Sequence, residues 1–178
     1  MTKPAVLVAG GAGYIGSHTC KQLDAAGFLP VALDNLVSGY KEFVRWGPLV
    51  QASVEDSGAV ARAVADYNIK AVIDFSGSIE VAESVADPFK YYYNNAATKI
   101  GFLRTLQSAG ITAFVFSSTA AVYGEPEKVP IQESNRLHPK NPYGWSKLFF
   151  EQMLRDFHAA GGPAWMALRY FNACGASF

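Results

Sequence analysis

Gly10-Gly11-Ala12-Gly13-Tyr14-Ile15-Gly16 is the stretch that decides the fold. It satisfies GxxGxxG from Gly10 and GxGxxG from Gly11, and it follows directly on the apolar run 5–9. A strand that enters such a turn and a helix that leaves it make a place for phosphate. Without side chains the turn tightens and its backbone approaches a pyrophosphate, while the helix offers free N–H groups and the positive end of its dipole. Gly16 lets that helix pack closely on the sheet. A ligand-free glycine turn between strand and helix would use the same residues, so the motif counts only in context.

The context agrees. Asp34 closes the next apolar run, 30–33, at about the ~20-residue distance of the carboxylate that hydrogen-bonds an adenosine ribose. A carboxylate there repels a 2′-phosphate, and no arginine directly follows it, which favours NAD over NADP. The plainer alternative makes Asp34-Asn35 a turn.

Further along, Val- and Ile-rich runs alternate with segments of helical period. Strands are expected at 5–9, 30–33, 49–52, 71–75, 112–116 and 165–170, and helices at 15–26, 58–67, 88–109 and 142–160. Nearly continuous apolar strands belong in a parallel sheet covered on both faces, so the expected class is α/β, a doubly wound parallel sheet of the Rossmann type in one domain over 1–178. Residues 125–140, rich in Pro and polar side chains, read as one long surface loop. Half of the 178 residues are hydrophobic, enough for a full core, and fifteen basic residues balance fifteen acidic ones. That balance gives no reason to expect a nucleic acid or an acidic membrane as partner. Cys20 and Cys174 lie far apart and form no metal-ligand spacing, so neither a metal site nor a disulfide framework is expected. The N-terminal apolar run breaks too early for a signal peptide or membrane span, and a reducing cytoplasm fits best.

In Tyr143-Gly144-Trp145-Ser146-Lys147, Tyr and Lys stand four apart at the start of an expected helix and project from one face. A free tyrosine is a poor base, with a pKa near ~10, but a nearby ammonium stabilises the phenolate. Such a pair exchanges a proton with a sugar hydroxyl. The strand 112–116 runs into Ser117-Ser118-Thr119, whose hydroxyls are expected to reach the same substrate oxygen at the carboxyl end of the sheet. By itself the Tyr/Lys spacing fits many amphipathic helices as a packed ring and a solvated charge. The glycine turn, Asp34 and the strand-end hydroxyls reverse that preference.

With these motifs in order, the chain resembles the UDP-glucose 4-epimerase (UDP-galactose 4-epimerase) family of extended short-chain dehydrogenases. The resemblance runs from the glycine turn through Leu33-Asp34-Asn35-Leu36, Glu83-Ser84-Val85, Asn94-Asn95, Phe116-Ser117-Ser118, Val122-Tyr123-Gly124, Pro142-Tyr143-Gly144 and Ser146-Lys147 to Leu168-Arg169-Tyr170-Phe171-Asn172. It implies NAD as cofactor and UDP-glucose and UDP-galactose as substrates. Gly10, Gly13, Tyr14, Ile15, Gly16, Asp34 and Asn35 would surround the adenosine and pyrophosphate. Ser53 and Val54 stand where the adenine is met, Phe75, Ser76 and Gly77 follow the cofactor, and Asn95, Ser117, Tyr143, Lys147 and Tyr170 approach it. Thr119, Tyr143 and Lys147 hold the positions of catalytic hydroxyl, base and helper lysine, and Thr119, Tyr143 and Asn172 those of substrate contacts. The resemblance also implies a homodimer paired through the helices 88–109 and 142–160, with Ile100, Leu103, Leu148, Phe149 and Met153 as apolar candidates.

Several positions depart from the family's commonest pattern. Ser53-Val54 replaces an Asp-Ile pair, Asp74 a histidine, Ser76 an alanine, Ile79 a cofactor-binding lysine and Thr119 a serine. Family members continue for a comparable length beyond 172–176 with a last strand and a smaller domain over the UDP-sugar. The expectation is therefore the N-terminal part of such an enzyme, without its C-terminal UDP-sugar domain and with doubtful activity as it stands. Two other readings stay open: a related sugar-nucleotide dehydratase or reductase, and a non-catalytic NAD-binding fragment. A dehydratase would carry an acid after the strand-end hydroxyl, where this chain has Ala120-Ala121.

Overall fold

The computed structural model describes residues 3–176. Six strands, β1 (Ala5–Ala9), β2 (Leu29–Asp34), β3 (Leu49–Gln51), β4 (Ala71–Asp74), β5 (Ala113–Thr119) and β6 (Ala164–Tyr170), form one sheet in the order β3-β2-β1-β4-β5-β6. Every neighbouring pair is parallel. Parallel neighbours need crossovers; β2 and β3 are joined by a loop with the 3-10 turn Lys41–Phe43, and the other four crossovers are α1 (Tyr14–Ala25), α2 (Ser57–Asp66), the run α3 (Val81–Ala86), α4 (Pro88–Tyr92) and α5 (Thr98–Ser108), and α6 (Pro142–Ala159). The doubly wound class read from the sequence is the class observed.

Burial explains the order. All five residues of β1 are buried, as suits a central strand with helices on both faces. The main core gathers Leu7, Val31, Leu33, Val60, Phe102, Phe114, Phe116 and Phe150. Phe116 and Phe150 meet edge to face at 4.5 Å between ring centroids, joining α6 to the sheet. The strand order reverses between β1 and β4, and open sheets of this kind bind ligands at that point, outside the carboxyl ends of the strands.

Local chemistry sets the helix starts. The Asp56 carboxylate accepts from the Ala59 amide at 2.9 Å to open α2, and the Asn141 side chain accepts from the Gly144 amide at 2.8 Å to open α6. Pro142 fills the first turn of α6, where its missing N–H removes nothing from the helix ladder.

Three differences from the sequence expectation matter. The helix expected over 88–109 is interrupted by a π-helical turn, Tyr93–Ala97, between α4 and α5. The residues buried through this turn, Asn95 and Lys99, are polar, so the apolar pattern carries no mark of it. Helix α3 is too short to announce itself by period. Strand β5 runs on to Thr119 instead of stopping at 116, because Ser117, Ser118 and Thr119 pair with Leu168, Arg169 and Tyr170 of β6. Residues 125–140 carry neither helix nor strand, as expected.

Candidate active site

At the end of β1 the chain turns through Gly10, whose φ of +74° favours glycine. A Cβ on Gly10 would lie 2.9 Å from the Phe75 carbonyl carbon, and one on Gly16 would collide with the Gly10 carbonyl oxygen. These two glycines are required by close backbone packing. Gly13 differs, since a Cβ there would meet only the Gly10 oxygen, at 3.3 Å. It is the N-cap of α1, makes no side-chain cap, and is followed by a first turn without an acidic residue. The first helical amides of α1 are thus open to an anion, and Tyr14 and Ile15 stand beside them. Tyr14 directs its hydroxyl to the Gly175 carbonyl at 2.6 Å, which ties the segment after β6 to the first turn of α1.

Asp34 is 9 % exposed, and its carboxylate accepts from the Ala12 amide at 3.0 Å and from the Leu36 amide at 2.9 Å. The turn reading of this residue is realised, since it closes its own turn through Leu36, and it also braces the glycine turn through Ala12. Each oxygen retains a lone pair for a ribose hydroxyl. Asn35 is exposed and accepts from the Val37 amide, continuing the turn. Ser53 and Val54 are half-buried beyond β3; the Ser53 hydroxyl accepts from the Glu55 amide, and Val54 packs on the core.

A second loop, 75–78, leaves the end of β4 beside the glycine turn. Phe75 donates its amide to the Ala9 carbonyl, and Gly77 adopts φ +143°. Asn95, buried in the π-helical turn, holds this loop from beneath: its Oδ1 accepts from the Ser78 amide at 2.8 Å, and its Nδ2 donates to the Ser78 carbonyl and to the Ser146 hydroxyl. A Cβ on Gly77 would lie 3.8 Å from the Lys147 Nζ. The loop therefore lies between the glycine turn and the Tyr/Lys helix.

Lys147 and Thr119 are buried and Tyr143 half-buried. The Lys147 ammonium donates to the Ser117 carbonyl at 3.0 Å, sits 4.9 Å from the Phe116 ring centroid and 6.0 Å from that of Tyr143. Burial pulls it down to about 8; repulsion by Lys99 adds to this and attraction by Asp74 opposes it. Burial also raises the Tyr143 phenol, while a hydrogen bond from Thr119 lowers it. Tyr91 backs the Tyr143 ring edge to face at 6.3 Å. Tyr170 pairs with Thr119 across β5 and β6, whereas Asn172 lies exposed beyond the strand.

One expectation is corrected. Ser118 does not share an oxygen with Ser117 and Thr119, because alternate residues of a strand face opposite ways. Its hydroxyl instead donates to Glu151, two turns along α6 from Tyr143, at 2.5 Å. There the buried Glu151 receives a two-pronged contact from Arg169, at 2.7 and 3.0 Å, and Arg169 donates to the Tyr123 hydroxyl at 2.8 Å. This network fastens β5, β6 and α6 together. Sequence reading missed it, and it missed the fully buried pair of Lys99 and Asp74, because neither cluster has a characteristic spacing. Ile79, where a lysine would be usual, is exposed. Among the described residues, no group of His, Cys, Asp and Glu is arranged to hold a metal ion, and no helix is long and apolar enough to cross a membrane.

A parallel sheet reversing beside a glycine turn, with a carboxylate at the end of the second strand, defines a dinucleotide-binding domain of the Rossmann class. Residues 6–178 match the NAD dependent epimerase/dehydratase family, and the chain belongs to it. It is 47 % identical over 178 residues to the UDP-glucose 4-epimerase of Rhizobium leguminosarum bv. trifolii, covering 100 % of this chain and 54 % of that protein. The human UDP-glucose 4-epimerase is 42 % identical over 191 residues, covering 96 % of this chain and 54 % of its own. Among solved structures, the UDP-glucose 4-epimerase of Brucella ovis in complex with NAD superposes with a TM-score of 0.95 at 44 % identity, covering 98 % of this chain and 54 % of that one. The chain thus spans about half the length of the relatives it matches.

Proposed function

We propose that this chain is the NAD-binding half of a UDP-glucose 4-epimerase, interconverting UDP-glucose and UDP-galactose once joined to a UDP-sugar domain. The observation that carries this reading is the continuity of the site. Gly10 packs on Phe75, the loop continues to Gly77, and Gly77 lies against Lys147 beside Tyr143 and Thr119. A dinucleotide laid across the glycine turn is thereby led to the Tyr/Lys pair.

The residues fit NAD. The open amides of α1 suit its pyrophosphate, Asp34 its adenosine ribose, and Lys147, Tyr170 and the loop 75–78 its nicotinamide end. NAD supplies a reversible hydride acceptor and, in its oxidised form, a positive charge near the site. The chain's own groups handle the proton. Tyr143 takes it from the sugar C4 hydroxyl as C4 loses hydride, and returns it when the 4-keto sugar receives hydride on its other face. Thr119 donates to the phenolate oxygen and steadies it, and Lys147 adds positive charge close to the ring. Asn172 would meet the UDP portion. Adenine contact at Ser53 lacks the carboxylate usual in the family, and Val54 supplies only apolar surface.

Epimerisation is favoured over dehydration because Ala120 and Ala121 follow Thr119 directly, at the start of the 3-10 turn Ala120–Tyr123, and provide no acid beside the hydroxyl. A homodimer is part of the same reading. Val85, Phe89, Ile100 and Phe149 expose apolar surface on α3 to α6, while Leu103 is buried and Met153 packs against the core. Two free cysteines suit a reducing cytoplasm.

The test is to join the chain to the C-terminal half of a relative and follow UDP-galactose conversion with a coupled assay. The joined protein should turn over, Tyr143→Phe should lose about 10²–10⁴-fold of that rate, and the chain alone should show little or none. Robust conversion by the chain alone, or a joined Tyr143→Phe protein as fast as its parent, would defeat the reading.

A further inference from the structure

Lys99 is 1 % exposed and Asp74 fully buried, an unusual state for two charged side chains. The ammonium donates to Asp74 at 2.8 and 3.1 Å, to the Ser76 carbonyl at 3.1 Å and to the Ser76 hydroxyl at 2.5 Å. Ser76 completes the cluster, its hydroxyl and its amide both donating to Asp74 Oδ1, at 2.6 and 2.9 Å. The ammonium's three protons are fully engaged, so Lys99 has nothing left to offer a ligand. Asp74 and Ser76 are also two of the positions at which the sequence departs from the family's usual pattern.

The cluster is bound to the site in two ways. Through the chain, Ser76 leads directly into Gly77, which lies against Lys147. Through space, the two buried ammoniums flank one aromatic pair: Lys99 Nζ is 5.9 Å from the Phe150 ring centroid, Lys147 Nζ is 4.9 Å from that of Phe116, and these rings pack together. We propose that Lys99 is a positioning residue for this site, which fixes the 75–78 loop through Asp74 and Ser76 and sets its own charge against that of Lys147. The proposal rests on the reading of the loop and Lys147 as the nicotinamide end of an NAD site.

The groups that face Lys147 are few. Lys99 acts on it from α5, Asp74 from β4 and the Tyr143 ring from its own helix, while β5 offers the Ser117 carbonyl and the Phe116 ring. Glu151, one turn further along α6, is taken by Arg169. Removing Lys99 therefore leaves Asp74 as the only nearby charge among these groups, and removing Asp74 leaves only Lys99. The two substitutions should act on Lys147 in opposite directions, which a purely structural role would not produce.

The experiment is an NMR titration of ¹³C-labelled lysine side chains in the whole chain, with Lys147 assigned by its loss in Lys147→Arg, together with calorimetry of NAD binding. Lys99→Met should move the Lys147 midpoint upward from about 8, Asp74→Asn should move it downward, and Lys99→Arg should return it towards the wild type. Lys99→Met should also weaken NAD binding by about tenfold through the loosened loop. If Lys99→Met does not fold, Lys99→Met/Asp74→Leu leaves no lone buried charge, and the midpoint should still rise because the lysine's influence exceeds the aspartate's. An unmoved Lys147 midpoint, or NAD affinity equal to the wild type's, overturns the proposal. A wild-type chain that binds no NAD defeats the functional reading instead, and the Lys147 midpoint alone then decides the role of Lys99.

Discussion

The Lys147 ammonium lies 3.0 Å from the carbonyl oxygen of Ser117, and this hydrogen bond fastens the helix that carries Tyr143 to the strand that carries Thr119. The lysine thus has a mechanical role as well as an electrical one. It adds, close to the phenol, to the Phe116–Phe150 and Ser118–Glu151 contacts that already hold this helix on the strand.

The buried ammonium gives folding a pH dependence of known sign. In the unfolded chain Lys147 titrates near its ordinary 10.5, and in the folded chain near 8. Below pH 8 both states hold the proton and the folded state bears the cost of burying it. Between 8 and 10.5 the unfolded chain binds more protons, so stability rises with pH across that window. Urea unfolding of the wild type, referenced to Lys147→Met so that other groups cancel, should show a gain approaching about 3 kcal/mol from the low to the high end. A flat difference would mean that the lysine is not held in its buried place.

Asp34 predicts cofactor choice. The chain should bind NAD more tightly than NADP, and Asp34→Ala should weaken NAD binding by ~1–3 kcal/mol, the range for a hydrogen bond to a charged group. The same substitution removes the acceptor of the Ala12 and Leu36 amides, so it should lower the melting temperature as well. Equal calorimetric affinity of the wild type for the two dinucleotides would sink the assignment.

Gly13 and Gly16 should respond differently to alanine. A methyl at Gly16 collides with the Gly10 carbonyl oxygen, and Gly16→Ala should cost roughly 1–3 kcal/mol of stability, as overpacking does. Gly13 has φ −81° and a Cβ there would press only on the Gly10 carbonyl oxygen, at 3.3 Å, so Gly13→Ala should cost about 1 kcal/mol, less than Gly16→Ala. It should nonetheless impair NAD binding, because the methyl crowds the amides that meet the pyrophosphate. Thermal melts paired with calorimetry separate the two effects, and identical behaviour of the variants would contradict the assignment of Gly13 to the ligand.

The exposed apolar surface of α3 to α6 predicts association. Phe89 is 82 % exposed, and Phe149 packs beside Tyr92 and Trp145 at ring-centroid distances of 5.8 and 5.7 Å while remaining 46 % exposed. Light scattering at micromolar concentration should give the mass of a dimer, and Phe89→Glu with Phe149→Glu should give a monomer with an unchanged circular dichroism spectrum. A wild-type monomer would remove the dimer from the functional reading.

The sequence by itself determined the class of fold, the glycine turn, the carboxylate at Asp34 and the Tyr143/Lys147 pair. Each of these is a local pattern: strand and helix periods differ, glycines mark where Cβ atoms do not fit, and four-residue spacing on a helix sets two side chains on one face. What joins them is not local. That Ser118 is taken up by Glu151, 33 residues further on, follows from how α6 lies along β5. The π-helical turn that aims Asn95 at Ser78 arises inside an apolar pattern that reads as one unbroken helix. Lys99 is 25 residues from Asp74 in sequence, and only the packing of α5 over the end of β4 brings them to 2.8 Å and withdraws both from water. Charge burial depends on the side chains that close over a group from distant parts of the chain, and for that reason the electrostatics of Lys147 were decided by tertiary structure alone.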